Sequence, residues 1–146
     1  METNKMTLTF LSLSENESFA RSVISCFMLK LNPSVAELGD VKTAVSEAVT
    51  NCIVHGYSNT VGEITLTSKI VDNEIHINII DKGCGIDNLE MALTPFYTTK
   101  PEEERSGMGF TIMKSFMDEI NVVSKKGEGT NIYMKKRISQ KNEEKC

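Results

Sequence analysis

Glu47, Asn51 and His55 follow one another at four-residue intervals in SEAVTNCIVHG, residues 46–56. On an α-helix this spacing stacks side chains along one side, so a carboxylate, an amide and an imidazole would project together. Val45 just ahead of them and Ala48, Val49, Cys52 and Ile53 between them supply an apolar face for packing. A solvated polar stripe has the same pattern, so the three residues gain chemical meaning only from what the rest of the chain brings to them.

Three further clusters could do so. Asp81-Lys82-Gly83-Cys84-Gly85-Ile86 sets a carboxylate beside two glycines at alternate positions. A fixed carboxylate accepts hydrogen bonds from an exocyclic amine, and residues without Cβ let the backbone approach a planar ligand. Arg105-Ser106-Gly107-Met108-Gly109-Phe110 opens a helical pattern. The free N–H groups and positive dipole end of a helix start bind phosphate, and Arg105 would add a charge-assisted contact. Thr98, Thr99 and Lys100 place two hydroxyls and a cation just upstream. Gly129-Thr130 opens the last strand-like run and by itself is what any hairpin uses.

The elements that must position these clusters are legible from periodicity. Residues 6–13 alternate apolar and polar side chains as a half-buried strand does, and Ser14-x-x-Glu17 has the capping-box pattern of a helix start. Phe19, Val23, Phe27 and Leu31 keep helical spacing as far as Pro33. Ser34-x-x-Glu37 repeats the capping pattern ahead of Val35, Leu38, Val41, Val45, Val49 and Ile53, which puts Glu47 and Asn51 on the last turns of a long second helix. Residues 63–71 and 74–81 read as a hairpin joined by Asp72-Asn73, with His76 as a plain surface residue. A third helix covers roughly 109–119, and strands 120–125 and 130–137 flank Gly127-Glu128-Gly129. Strands and helices in separate runs predict an α+β fold, a two-layer α/β sandwich whose mixed, mostly antiparallel sheet is covered on one face by helices. The irregular stretch from about Gly83 to Arg105 has the length of a functional lid.

With 146 residues, one domain is expected over 1–138, followed by a frayed tail, 139–146. The tail region is locally basic through Lys135, Lys136, Arg137, Lys141 and Lys145, and it is expected to be solvated. Composition is ordinary, 40% hydrophobic and 25% charged, with no apolar run near the ~18 residues of a membrane span and no signal-peptide pattern, so a cytoplasmic protein is expected. A net charge of −4 and pI near 5.3 argue against holding nucleic acid by phosphate neutralisation. Cys26, Cys52, Cys84 and Cys146 are widely spread and suggest free thiols, most of them buried, with neither a zinc site nor a disulfide framework.

Taken in order, Glu-x-x-x-Asn on a helix, Asp-x-Gly-x-Gly after a hairpin, a long loop, Gly-x-Gly at a helix start and then Gly-Thr resemble the Bergerat-type ATP-binding fold. That fold is shared by DNA gyrase, Hsp90, the bacterial histidine kinases and the mismatch-repair MutL proteins, and the clusters correspond to its N, G1, G2 and G3 boxes. SENESFAR (14–21), SEAVTN-x-I-x-HGY (46–57) and PFYTTKPEEERSGMGFTIMKSFMDE (95–119) narrow the match. Over nearly its whole length the chain is similar to the anti-sigma F factors of endospore formers, the stage II sporulation protein AB family of small serine kinases.

The resemblance implies ATP and Mg²⁺ as ligands and a role for each cluster. Glu47 would be the general base toward a substrate serine, and Asn51 would bind Mg²⁺ bridging the phosphates. Asp81 would accept from the adenine amino group, with Gly83, Gly85 and Thr130 completing the adenine pocket. Arg105, Ser106, Gly107, Met108, Gly109 and Phe110 would hold the triphosphate, and Thr98, Thr99 and Lys100 would close over it as a lid. His55 is a supporting group at most. The implied partners are an RNA polymerase sigma factor of the sporulation type, an anti-anti-sigma protein that is the phosphorylation substrate, and a second copy of the chain. Arg21 is nominated as a partner contact. Two other readings stay open: a nucleotide-gated sigma-binding module without turnover, and a detached histidine-kinase catalytic domain, for which His55 and His76 are the only histidines.

Overall fold

The computed structural model describes residues 2–86 and 109–139. Strand β1 (Glu2–Leu11) leads into helix α1 (Asn16–Phe27), a 3₁₀ turn (Met28–Leu31) and helix α2 (Val35–Asn51), which continues as a π-helical turn (Cys52–Gly56). Strands β2 (Glu63–Val71) and β3 (Glu74–Asp81) form a hairpin, and helix α3 (Gly109–Phe116) precedes strands β4 (Glu119–Lys125) and β5 (Gly129–Arg137). The sheet order is β1-β2-β3-β5-β4. All four pairings are antiparallel, so among the described residues the sheet is not mixed.

Strand pleat sends alternate residues to opposite faces, and one face carries the core. Leu8, Leu66, Ile79, Ile132 and Val122 form one row across all five strands, and Phe10, Ile64, Asp81, Thr130 and Ser124 form the row nearest one end. Ala20, Ile24, Val41, Ala44, Val45, Ala48, Val49 and Met113 from the three helices close over this face. The opposite face is polar, with Thr7, Thr67, Asn78, Tyr133 and Asn121 in register. No helix among the described residues is long and apolar enough to cross a membrane.

Several local expectations are corrected by tertiary partners. β1 starts at Glu2 and stops at Leu11, because Leu11 pairs with Glu63 at the start of β2 and the next N–H, of Ser12, turns to Gly62 O at 2.8 Å. The first capping box does not form. Ser14 offers its carbonyl to the Glu17 N–H, and the Glu17 carboxylate instead accepts from the Ser46 hydroxyl on α2 and pairs with Arg21 at 3.3 Å. Lys135, Lys136 and Arg137 belong to β5 and are paired with Glu119, Asp40 and Glu74. Lys136 Nζ also donates to Phe116 O at 2.7 Å, which satisfies a carbonyl at the end of α3. Cys52 is buried but Cys26, on the last turn of α1, and Cys84, in a loop, are exposed. His76 is half-buried on the polar sheet face, its Nδ1 2.8 Å from the Tyr133 hydroxyl.

The second capping box is complete, with Ser34 N–H donating to Glu37 Oε1 at 2.9 Å and Glu37 N–H donating to Ser34 Oγ at 3.0 Å. Glu37 Oε2 also accepts from the Ser139 N–H (2.8 Å) and hydroxyl (2.7 Å), tying the chain after β5 to the start of α2. Burial alone would raise the Glu37 pKa, but the bonds from Ser139 and Ser34 prevail and bring it from 4.5 to about 2. A carboxyl depressed in this way adds stability above its unfolded pKa and loses it as pH falls through the folded value. The contribution therefore fades between 4.5 and about 2. Solvent screens a group so near the surface, so Glu37→Gln is expected to cost about 1 kcal/mol at neutral pH. Urea melts should show the gap between variant and wild type narrowing by about pH 3; an equal loss at both pH values would assign the effect to packing.

Candidate nucleotide site

Regular helix geometry holds through Asn51, so Glu47 and Asn51 stand one turn apart on α2, both half-buried. Beyond Asn51 the ladder changes, and Tyr57 N–H reaches back five residues to Cys52 O at 2.9 Å. The wider turn changes the helical phase between Asn51 and His55, so the four-residue spacing of a regular α-helix stops at Asn51. What the π turn contributes is backbone. Gly56 O accepts from Cys84 N–H at 2.9 Å, and His55 O accepts from Cys84 Sγ at 3.0 Å.

The end of β3 and this turn pass one another at glycines. A Cβ on Gly83 would stand 1.9 Å from Gly56 O, and one on Gly56 would stand 2.8 Å from Asp81 Oδ2. The first gap leaves no room for a side chain and the second would force the Asp81 carboxylate to move, so Gly56 helps shape the site along with Gly83. Gly56 carried no role in the sequence reading, although its place directly after His55 was the available signal. Gly85 adopts φ 76, a left-handed conformation that glycine tolerates without strain. Its neighbour Cys84 accepts from Gly127 N–H at 2.6 Å, which closes the loop over the β4–β5 turn.

Asp81 lies at the bottom, 2% exposed. Its Oδ1 accepts from Gly83 N–H at 2.9 Å, whereas Oδ2 is buried with no hydrogen-bond partner among the described residues. Burial raises the Asp81 pKa against the lowering effects of the Gly83 N–H, the Cys52 thiol and the Thr130 backbone. The Cys52 thiol, a weak donor at most, is itself pushed well up by burial and by the Asp81 charge. A buried acceptor left open costs about 1–3 kcal/mol, and in a native chain such a group marks where a missing donor belongs. The 6-amino group of a purine is a donor of that kind.

Thr130 is buried opposite Asp81 on β5. Its hydroxyl lies 2.8 Å from that of Ser124 on β4, which in turn accepts from Ile86 N–H at 2.8 Å. Asp81, Thr130 and Ser124 thus form a polar row at one end of a mostly apolar face. Ser124 was missed by sequence reasoning; its signal was a single hydroxyl at a core-facing position in a β-branched strand.

Gly109 and Phe110 open α3. The Phe110 side chain is buried in the core, so what it can offer a phosphate is its backbone N–H in the first turn of the helix. Arg21 lies on α1, partly exposed and paired with Glu17. Thr98, Thr99, Lys100, Arg105, Ser106, Gly107 and Met108 lie outside the described residues. Among the described residues no three acidic, histidine or cysteine side chains gather to hold a metal. A Mg²⁺ here would need one protein ligand such as the Asn51 amide and oxygens from phosphates, a donor set that suits this ion.

Comparison with known proteins gives the pocket its context. The family profile described as Histidine kinase-like ATPase domain matches residues 11–136. The anti-sigma F factors of Thermoanaerobacter sp. (strain X514) and of Clostridium acetobutylicum are each 55% identical to this chain over 136 residues, covering 93% of it and 95% of their own length. Among solved structures, the RsbU and RsbW domains of a Mycobacterium tuberculosis protein superpose with a TM-score of 0.69 at 16% identity, over 95% of this chain and 34% of that one. The catalytic domain of histidine kinase ThkA gives 0.55 at 15% identity, over 95% of this chain and 100% of that domain. The solved structures share the fold, and the curated relatives share the sequence along nearly its whole length: the chain belongs to the anti-sigma F factor family, built on the histidine kinase-like ATPase fold.

Proposed function

We propose that this protein binds ATP over Asp81, transfers the γ-phosphoryl group to a serine of an anti-anti-sigma protein, and in its ATP form sequesters an RNA polymerase sigma factor of the sporulation type. The observation that carries the reading is the open Asp81 Oδ2, a buried acceptor at the glycine-lined junction where α2 ends. The family supports the partners, and α2 carries the chemistry.

The adenine 6-amino group donates to Oδ2, and Gly83 and Gly85 let the ring lie against backbone. The start of α3 offers N–H groups to the phosphates, joined by Arg105 and its neighbours, with Thr98, Thr99 and Lys100 as the lid. Asn51 holds Mg²⁺ through a neutral oxygen, which adds no negative charge beside the nucleotide; the ion supplies charge neutralisation when bound. Glu47 accepts the proton of the substrate hydroxyl as the serine Oγ–phosphorus bond forms and the bond to the β-phosphate oxygen breaks, releasing ADP. The protein acts in the cytoplasm as a homodimer, with Arg21 at a partner surface.

Incubating the protein with labelled ATP, Mg²⁺ and purified partners tests this. Acid-stable label on a serine of the anti-anti-sigma protein is expected, with ATP favouring the sigma complex and ADP the anti-anti-sigma complex. Sigma binding that needs ATP without any transfer would reduce the protein to a nucleotide-gated module. Acid-labile phosphohistidine would move it to histidine-kinase chemistry, against which His76 lies on the sheet face opposite Asp81.

A further inference from the structure

The geometry points to Ser124 as a positioning residue that decides whether Thr130 offers the nucleotide a hydrogen or a lone pair. The inference rests on the nucleotide reading above and deepens it. Ser124 faces the helices from β4, where its same-side neighbours Ile120 and Val122 pack apolar surface. Its hydroxyl has three contacts: Ile86 N–H at 2.8 Å, Thr130 Oγ1 at 2.8 Å and Gly129 O at 3.2 Å.

A hydroxyl has one hydrogen and two lone pairs, so these contacts leave few arrangements. Ile86 N–H occupies one lone pair. If Ser124 donates to Gly129 O, Thr130 must donate to the remaining lone pair, and Thr130 then turns only acceptor capacity toward the pocket. If Ser124 donates to Thr130 Oγ1 instead, the Thr130 hydrogen is released to the pocket. O–H···O bonds are strongest near 2.7–2.8 Å, so the 3.2 Å contact to Gly129 is the weaker one to give up. Rotation of one hydroxyl therefore converts Thr130 from acceptor to donor.

Adenine needs that conversion. Its edge presents the 6-amino donor beside the N1 acceptor. Asp81 Oδ2 can only accept and takes the amine, so Thr130 must donate toward N1, directly or through a water. Ser124 keeps the Thr130 hydrogen occupied in the empty pocket and yields it on binding. It also holds Ile86, the residue after Gly85, and so fixes the end of the loop that lines the ring.

The test is a double-mutant cycle on ATP affinity, measured by calorimetric titration of the full chain with Mg²⁺ present. Thr130→Val should weaken ATP binding about five- to tenfold, the range of one neutral hydrogen bond, whereas Ser124→Ala, which leaves the Thr130 hydrogen free before the nucleotide arrives, should tighten it about two- to threefold. The double variant should be no weaker than Thr130→Val alone, and Ser124→Thr, which keeps the hydroxyl, should bind within about twofold to threefold of wild type. If Ser124→Ala melts below the assay temperature, Ser124→Cys, with a weak donor of similar shape, takes its place in the same cycle. A loss of affinity in Ser124→Ala, or the same change whether or not the Thr130 hydroxyl is present, would overturn the assignment, since a residue that merely packs the strand does not depend on Thr130. Failure of the wild-type chain to bind ATP would overturn the nucleotide reading together with it.

Discussion

Glu47→Gln is expected to lower phosphoryl transfer to the anti-anti-sigma serine by ~10²–10⁴-fold while leaving ATP affinity within about twofold of wild type. Glutamine keeps the length and polarity of the side chain and is a good helix former, so α2 and its buried residues Val45, Ala48 and Val49 retain their packing. What it loses is the ability to take a proton. A base that acts only as the hydroxyl is attacked contributes to the transition state and not to nucleotide binding, which is why rate and affinity should separate. Sigma binding in ATP should survive as well, because on this reading it depends on the nucleotide and not on turnover. Single-turnover transfer with labelled ATP, run beside calorimetric titration, reads both quantities. Equal loss of affinity and rate would move Glu47 into nucleotide or metal binding, and an unchanged rate would remove it from the chemistry.

The sequence made most of this scaffold legible where local pattern and tertiary demand agree. β2 and β3 have the predicted limits because Ile64, Leu66, Ile70, Ile75, Ile77 and Ile79 alternate toward a single buried face. Ser34 and Glu37 cap α2 because both partners lie within one turn. The failures have a common physical origin in partners distant along the chain. Glu17 abandons its cap for Ser46, 29 residues away. The π turn after Asn51 is held by Tyr57, and its carbonyls are used by Cys84 from the far end of the hairpin, which no helical periodicity announces. Ser124 becomes meaningful only when three strands bring Asp81, Thr130 and Ser124 into one row. The Asp-x-Gly-x-Gly pattern announced a carboxylate beside close-packed backbone, but the identity of what it packs against, Gly56, required the fold.

Asp81→Asn should make the nucleotide-free protein more stable and nearly abolish its affinity for ATP. Burial raises the Asp81 pKa, so the charged form costs more in the folded chain than in the unfolded one. For a carboxyl raised in this way the burden is present above the folded pKa and disappears as pH falls through that value toward the unfolded one, the opposite of Glu37. Replacing the charge with an amide removes the burden, and a gain of about 1 kcal/mol, a rise of roughly 3 °C in melting temperature, is expected near neutral pH. The gain should shrink as the wild-type carboxyl protonates. The ligand effect follows from one hydrogen bond. Gly83 N–H, 2.9 Å from Oδ1, needs an acceptor, so the asparagine oxygen takes that position and its NH₂ falls where Oδ2 was. A donor then meets the adenine 6-amino donor, and the loss of a bond to a charged acceptor together with donor–donor opposition should weaken ATP about 100-fold. A 6-oxo purine triphosphate presents an acceptor at the same place, so GTP should lose much less or gain. Thermal melts of the empty protein at two pH values, with titrations of ATP and GTP, separate the two effects. A variant that is both less stable and equally able to bind ATP would show that the open oxygen is not the purine's partner, because the charge that weakens the empty fold is the one the amino group is meant to satisfy.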